Sequence, residues 1–169
     1  SGRAKRAPLD RSVGCSHSME VFIVKLKTLF PVIATHAVTE ARDFYVQYFG
    51  FEVAFDAGWY VQLHGPRVGG GPPLELAFML TDHESIPPFL RRAFDGKGVF
   101  LTLEVDDVDA LYERLRGQGR EILIELRDEV WGQRHFGVRD PSGGLLDVVK
   151  PIPPTAEYQA AFLQGGGNS

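Results

Sequence analysis

Hydrophobic and polar positions follow the same order of patterns twice along the chain. Between Thr39 and Phe49, apolar residues recur at three- and four-residue intervals. This spacing predicts an amphipathic helix with Thr39 as its N-cap and Gly50 as its end. A second helical face runs from Val108 to Leu115, introduced by Asp106 and Asp107.

Short alternating or β-branched runs surround these two helices and predict strands. The segments are Val21 to Val38 (one long strand or two short ones), Phe51 to Phe55, Trp59 to His64, Leu74 to Leu80, Val99 to Val105, Glu121 to Leu126, Trp131 to Val138 and Leu145 to Val149. A connector from Thr81 to Gly98 has a short helix predicted around Pro87 to Phe94. Another short helix, Tyr158 to Leu163, is expected to pack back on the body.

The order strand, helix and three strands therefore occurs twice, which predicts an α+β fold of two tandem βαβββ repeats. Repeat one covers about residues 29–80 and repeat two about 99–150, within one domain at 20–152. We expect curved mixed sheets around a cleft, with the helices on the outer face. Residues 1–19 are expected to be a disordered basic tail or a remnant of cloning. Residues 153–169 form a C-terminal extension whose last residues are expected to be disordered.

Charge and composition narrow the class of partner. The chain has 18 basic and 22 acidic residues, and the first 19 residues hold four basic and one acidic. The rest therefore has 14 basic and 21 acidic residues, a formal charge of −7, which disfavours a nucleic-acid partner and mildly favours cationic ligands. No apolar stretch approaches the length of a membrane span. A single cysteine, Cys15, makes a cytoplasmic location the expectation.

Several local motifs resemble those of the vicinal-oxygen-chelate superfamily, which includes glyoxalases, bleomycin-resistance proteins and extradiol dioxygenases. The motifs are Pro31-Val32-Ile33, Ala41-Arg42-Asp43-Phe44-Tyr45, Phe49-Gly50-Phe51, Val130-Trp131-Gly132-Gln133-Arg134-His135-Phe136 and Val138-Arg139-Asp140-Pro141-Ser142-Gly143. The pattern is most similar to the bleomycin-resistance-like branch, with one residue inserted near Gln133. The resemblance extends from about Phe30 to Val149 and implies the same repeated fold.

The resemblance also implies where a metal would bind, on the first and fourth strands of each repeat. Glu75 and Asp147 occupy the two acidic positions, whereas Phe30 (or Leu29) and Phe100 occupy the histidine positions. Two carboxylates without imidazoles make a weak site for a transition metal. We therefore expect no cofactor, with a divalent metal on Glu75 and Asp147 as the alternative. The histidines His36, His64 and His135 are expected to be surface or hydrogen-bonded residues, and His83 to be solvated.

Strand alternation predicts which side chains line the cleft. The mixed face is expected to carry Glu75, Met79, Phe100, Thr102 and Asp147. Acids in an apolar cleft require a partner, which would be a cationic ligand, water or an arginine such as Arg134, an internal salt bridge being the alternative.

In the resembling proteins, a flat ligand is held between aromatic side chains. The matching residues here are Trp59 or Tyr60 in repeat one and Trp131 in repeat two. The inserted residue leaves open whether His135 or Phe136 points inward. The predicted ligand-binding residues are thus Trp59, Tyr60, Glu75, Met79, Phe100, Thr102, Trp131, Arg134 and Asp147.

These features favour a homodimeric protein that sequesters a planar aromatic ligand, with or without a positive charge, such as an antibiotic or secondary metabolite. One alternative is a metal-dependent lyase, isomerase or dioxygenase. Another is a metal-free enzyme with Glu75 or Asp147 as general base, and a third is a structural or regulatory role. The segment Val21 to Lys27 is a candidate arm for exchange between the two subunits.

Overall fold

A computed structural model describes residues 27–165, with side chains described as far as residue 161. The predicted basic tail, the extended segment from Val21 to Leu26 and the last four residues lie outside this range. Within it, no helix is both long and apolar enough to cross a membrane.

Two mixed four-stranded sheets, one in each repeat, form the body of the protein. The elements are β1 (Val32–Thr35), α1 (Val38–Phe49), β2 (Glu52–Asp56), β3 (Tyr60–Arg67), β4 (Pro73–Leu80), β5 (Leu101–Glu104), α2 (Val108–Gly117), β6 (Ile122–Glu129), β7 (Gln133–Arg139), β8 (Leu145–Pro151) and α3 (Ala156–Gly165). The strand orders are β1-β4-β3-β2 and β5-β8-β7-β6. In each sheet the first and fourth strands pair in parallel and the other pairs are antiparallel. The predicted fold of two tandem βαβββ repeats is confirmed.

The ends of the first two helices show where sequence rules succeed and where they fail. Gly50 ends α1 in the left-handed conformation (φ 67°), as predicted. Thr39 is not the N-cap, because the helix begins at Val38, whose side chain is buried in the core. Instead, the hydroxyl of Thr35 accepts a hydrogen bond from the backbone N–H of Ala37, the residue before the helix, at 3.1 Å. In α2, Asp107 is the N-cap and accepts a hydrogen bond from Ala110.

One hydrophobic core spans both repeats. The buried cluster contains Phe44, Tyr45 and Phe78 from repeat one together with residues of repeat two, including Tyr112 and Phe136. Both helices pack on it, and the strand faces that carry Phe78 and Phe136 turn towards them.

Polar contacts cross the same boundary between the repeats. The Tyr45 hydroxyl donates to Asp140 at 2.9 Å, and the Arg114 guanidinium donates to the Gln47 carbonyl at 3.3 Å. The two repeats therefore form a single packed unit.

The two remaining short helices differ from the predictions. The connector contains only one 3₁₀ turn, Pro88–Leu90. The C-terminal helix is present as α3, but its described side chains, residues 156–161, are all exposed. The expectation that this helix packs back on the body is therefore wrong for these residues.

Candidate ligand-binding site

A cavity of about 530 Å³ lies where the edge strands β1 and β5 come together, and we call it the edge cavity. Val32 and Ile33 of β1, Phe100 and Leu101 at the start of β5, and Phe94 of the connector contribute to its walls. Its volume falls within the range of about 300–1,000 Å³ that is typical of small-molecule sites. Its walls are also mainly apolar, as is usual for such sites, so the edge cavity is the candidate binding site.

The connector forms its wall through specific contacts on both sides. The backbone N–H of Phe94 donates to the carbonyl of Ala34 in β1 at 2.8 Å. Gly96 has φ 76°, and a Cβ atom there would lie 2.3 Å from the carbonyl oxygen of Gly143. The ring of Phe94 lies against Gly144, whose Cβ, if present, would be 3.0 Å from Cε1 of the ring. The connector therefore binds β1 on one side and the turn before β8 on the other.

Asp140, in the turn before β8, is the one acid among the edge-cavity residues that the structure describes. Its carboxylate is buried and accepts hydrogen bonds from Tyr45, from the Ser142 hydroxyl (2.6 Å) and from the Gly144 N–H (3.0 Å). Burial and then the charge of Asp140 raise the pKa of Tyr45 well above its ordinary value. Asp140 therefore holds the two repeats together and has no free oxygen to offer a ligand.

The structure divides the predicted cleft residues between different places. Met79 and Phe100 line the edge cavity. Glu75 and Thr102 line an adjacent, open groove of about 1170 Å³. Met79 and Glu75 share one face of β4 but are four residues, about 13 Å, apart along the strand. Phe100 precedes β5 and is 59% exposed, so strand alternation does not fix its direction.

Glu75 has partners within its own repeat. Its two carboxylate oxygens accept hydrogen bonds from the Gln62 amide at 2.7 Å and the Thr28 hydroxyl at 2.9 Å. Nε2 of His64 lies 4.0 Å away. Both carboxylate oxygens of Glu75 therefore have internal donors, although these neutral donors are not the internal salt bridge given as the alternative above.

Asp147 belongs to a larger network on the equivalent face of repeat two. Its carboxylate lies 2.7 Å from Nδ1 of His135 and 3.4 Å from the hydroxyl of Thr102. On the other side of the ring, Nε2 of His135 lies 3.1 Å from Glu129, which also binds Arg127 at 2.6 Å. The ring of His135 therefore lies between two carboxylates, one on each side.

The sequence left open whether His135 or Phe136 points inward, and the structure answers this question. His135 points to the face of Asp147, and Phe136 is buried in the core. Comparing the two repeats would have indicated that His135 is the partner of Asp147, which the sequence analysis missed. Gln62 pairs with Ala77 and His135 with Val149, each two residues after the acid, so Gln62–Glu75 and His135–Asp147 are equivalent diagonal pairs.

Arg134 lies on the opposite face, so the prediction that it meets the cleft acids is wrong. Its guanidinium binds Asp109 of α2 at 2.9 and 2.6 Å and Asp128 at 2.7 Å. Arg134 precedes the inward-facing His135, so strand alternation turns it towards the helix. Its guanidinium lowers the pKa of Asp109.

The aromatic residues of repeat one form a cluster at the turn between β2 and β3. The ring of Trp59 stacks on His83 of the connector, with centroids 3.7 Å apart and planes at 4°. Tyr60 lies 5.8 Å from Trp59 and 6.2 Å from Phe55, between ring centroids. Burial, and then the charge of Glu75, raises the pKa of Tyr60. His83 is half-buried, because one face of its ring lies against Trp59.

Trp131 occupies the corresponding turn of repeat two, between β6 and β7. It is 45% exposed, and its indole N–H donates to Gln133 at 2.8 Å. Of the cavities described above, neither is lined by Trp59, Tyr60 or Trp131. In each sheet, this turn joins the two strands that are farthest from the strand bordering the edge cavity, which is β1 or β5.

Comparison with known proteins agrees with this architecture. Residues 28–148 match the family model of the Glyoxalase/Bleomycin resistance protein/Dioxygenase superfamily. The chain belongs to this superfamily. Uncharacterised proteins of Mycobacterium bovis and Mycobacterium tuberculosis are 29% identical over 158 residues, which is 80% of this chain and 95% and 85% of those proteins.

Solved structures of similar fold include other members of the superfamily and an antibiotic-binding protein. One is a glyoxalase/bleomycin resistance protein/dioxygenase from Nocardioides (TM-score 0.62, 20% identity, 80% of this chain and 89% of that chain). Another is TnmS3, described as an antibiotic-binding protein, from a Streptomyces species (TM-score 0.55, 24% identity, 76% and 98%). A third is TioX from a Micromonospora species (TM-score 0.55, 23% identity, 75% and 99%). At these identities the likeness shows the fold.

The donor set does not fit the metal that other members of the superfamily are expected to hold. Of the four expected positions, Glu75 and Asp147 carry carboxylates that already accept internal hydrogen bonds, and Phe100 carries no donor atom. Across residues 27–165, no group of three histidine, cysteine or acidic side chains is placed to hold a metal ion.

Proposed function

We propose that this superfamily member binds and sequesters a planar aromatic small molecule in the edge cavity. The observation that carries the proposal is the cavity itself, about 530 Å³ in volume and lined mainly by apolar side chains that include Met79, Phe94 and Phe100. Flat rings gain about 0.5–1.5 kcal/mol per aromatic contact beyond the burial of area. Sulfur–aromatic contacts with Met79 favour the same class of ligand.

The class of ligand also has support from the comparisons. A structure of the same fold is described as an antibiotic-binding protein, so an antibiotic or another secondary metabolite is the ligand type we propose. A positive charge on the ligand has less support, because Glu75 and Asp147 already have internal partners.

Binding is favoured over catalysis by the state of the polar groups. A general base needs a lone pair directed at the substrate. Both ring nitrogens of His135 face carboxylates, and the carboxylate of Asp147 is shared between His135 and Thr102. Glu75 is similarly engaged by Gln62 and Thr28.

The proposal includes a homodimer located in the cytoplasm. An interface with a second subunit is supported by exposed apolar side chains, which are Val53 (46%) and Phe55 (55%) on β2 and Trp131. Light scattering during size-exclusion chromatography is expected to give a mass of two chains.

The experiment that tests the binding site is a fluorescence titration with the neutral probe N-phenyl-1-naphthylamine. Phe100→Ala is expected to weaken probe binding about tenfold, from lost stacking and lost apolar area, a difference of about 1.4 kcal/mol. Phe89→Ala is the matched control, because Phe89 is an exposed (83%) aromatic residue of the connector that does not line the edge cavity. Equal affinities in the two variants would show that the probe does not bind there.

The same titration tests the aromatic site that the family resemblance implies. Trp131→Ala is expected to leave the affinity unchanged if the edge cavity is the site. A loss of tenfold or more would move the site to Trp131 and its surroundings.

A further inference from the structure

Arg92 is the one basic side chain among the edge-cavity residues that the structure describes. Within residues 27–165, its guanidinium makes no hydrogen bond or ion pair, although its backbone N–H donates to Leu90. The neighbouring Arg91 differs, because its guanidinium is held by the carbonyls of Ile86 and Glu84 at 2.9 and 3.2 Å. Arg92 therefore leaves its donors free beside an apolar cavity.

The last part of the connector has the same sign of charge, although the connector as a whole, residues 81–98, has no net charge. Residues 90–98 contain three basic residues, Arg91, Arg92 and Lys97, and one acid, Asp95. This local positive charge stands against the formal charge of −7 from Glu20 onward. The acid of the cavity wall, Asp140, is buried and accepts three hydrogen bonds from the protein. Among the described residues, the cavity wall therefore holds one negative group, Asp140, whose two oxygens are engaged by protein donors, and one positive group, Arg92, whose donors are not engaged.

We infer that the edge cavity takes aromatic ligands that carry a carboxylate, an inference that rests on the binding function proposed above. The ring lies among Met79, Phe94 and Phe100, and the carboxylate binds Arg92. A guanidinium is always charged and presents a planar set of donors that matches the two oxygens of a carboxylate. Because Arg92 is exposed, we expect this ion pair to add a modest preference of the size found for pairs near solvent. A cationic ligand would place its charge against Arg92.

The test is competition against bound N-phenyl-1-naphthylamine by 1-naphthoate and by its neutral isostere 1-naphthamide. The naphthoate is expected to compete at least about fivefold more strongly than the amide, a preference that decreases as salt is added. Arg92→Gln is expected to abolish the preference, so that naphthoate and naphthamide compete equally. Lys97→Gln, a matched loss of charge in the same segment, is expected to retain it.

The outcomes separate this inference from the function on which it rests. If the probe binds and loses affinity in Phe100→Ala, but naphthoate and naphthamide compete equally, the carboxylate specificity is wrong and the binding function stands. The same holds if Arg92→Gln keeps the preference. If the probe does not bind the folded wild-type chain, the proposed function itself fails.

Discussion

The acids on the inner faces of the two sheets are parts of hydrogen-bonded networks. In repeat two, contacts link the side chains of Arg127, Glu129, His135 and Asp147 across neighbouring strands. Each acid has a donor within 3.1 Å, and the side chains of Glu129 and Asp147 are only 14% and 13% exposed. These internal partners give each acid a hydrogen-bonding contact within the protein.

Glu129 provides a measurable consequence of this network. The Arg127 guanidinium, and then His135, hold the pKa of Glu129 below its ordinary value of 4.5. Because the folded pKa is depressed, the stabilisation that this group provides is present above about pH 4.5 and is lost as the pH falls through the lower folded pKa. Arg127→Gln is expected to raise the pKa of Glu129 towards 4.5, as measured by carbon-detected NMR titration of the carboxyl group.

The control for this titration is Arg139→Gln, because Arg139 pairs with Glu121 and has no contact with Glu129. It is expected to leave the pKa of Glu129 unchanged. An equal shift in both variants would mean that total charge, and not the contact with Arg127, depresses the pKa.

Single residues of the site were predictable from sequence only where alternation alone decides their direction. The shared face of Glu75 and Met79 on β4 follows directly from the period of two. The directions of Arg134 and His135 depend on how β7 pairs with its neighbours, and β6 contains register shifts opposite this segment. Partners such as Gln62 for Glu75 arise from pairing between strands, which a single sequence does not fix.

At the scale of elements, the connector differs most from what its sequence suggested. The helices and the strands after β1 have strong periodicity and were predicted to within a few residues. The segment predicted as extended, Val21 to Val38, contains only the four-residue strand β1 within its described residues. The connector has little regular structure, and its path is fixed by contacts with β1 and with the turn before β8. Phe94 was therefore missed as a wall of the cavity, although its apolar character in a Gly/Pro-rich segment was visible.

Two glycines of the connector allow its packing to be tested. Gly96 and Gly98 both have positive φ (76° and 77°), but only at Gly96 would a Cβ atom meet another residue. Gly98→Ala is expected to lower the free energy of unfolding by about 1–2 kcal/mol, the usual cost of the left-handed conformation. Gly96→Ala is expected to lose a further 1–3 kcal/mol, about the cost of overpacking, as measured by urea denaturation.

Gly96→Ala is also expected to weaken binding of N-phenyl-1-naphthylamine, because the displaced connector carries Phe94. Equal stability losses in the two variants would show that the close approach between Gly96 and Gly143 is relieved at no cost. The connector would then be loosely attached, and the edge cavity would lack a fixed wall.

At the scale of the whole molecule, the edge cavity forms where the two repeats meet. Its walls come from β1 of repeat one, the start of β5 in repeat two and the connector between them. The shared core and the contact of Tyr45 with Asp140 hold the repeats in a single arrangement. Neither repeat can supply the cavity alone, so its shape depends on the two repeats folding as one unit.

The two tryptophans make this dependence testable, because Trp59 lies in repeat one and Trp131 in repeat two. Trp131→Phe leaves a fluorescent reporter in repeat one, and Trp59→Phe leaves one in repeat two while keeping an aromatic ring beside His83. In each variant, we expect the urea midpoint from tryptophan fluorescence to coincide with that from far-UV circular dichroism. Comparing two signals within one variant removes any effect of the substitution on stability. A fluorescence midpoint at a lower urea concentration than the circular dichroism midpoint, in only one variant, would show that the repeats unfold separately. The common core would then not be the structure that shapes the cavity.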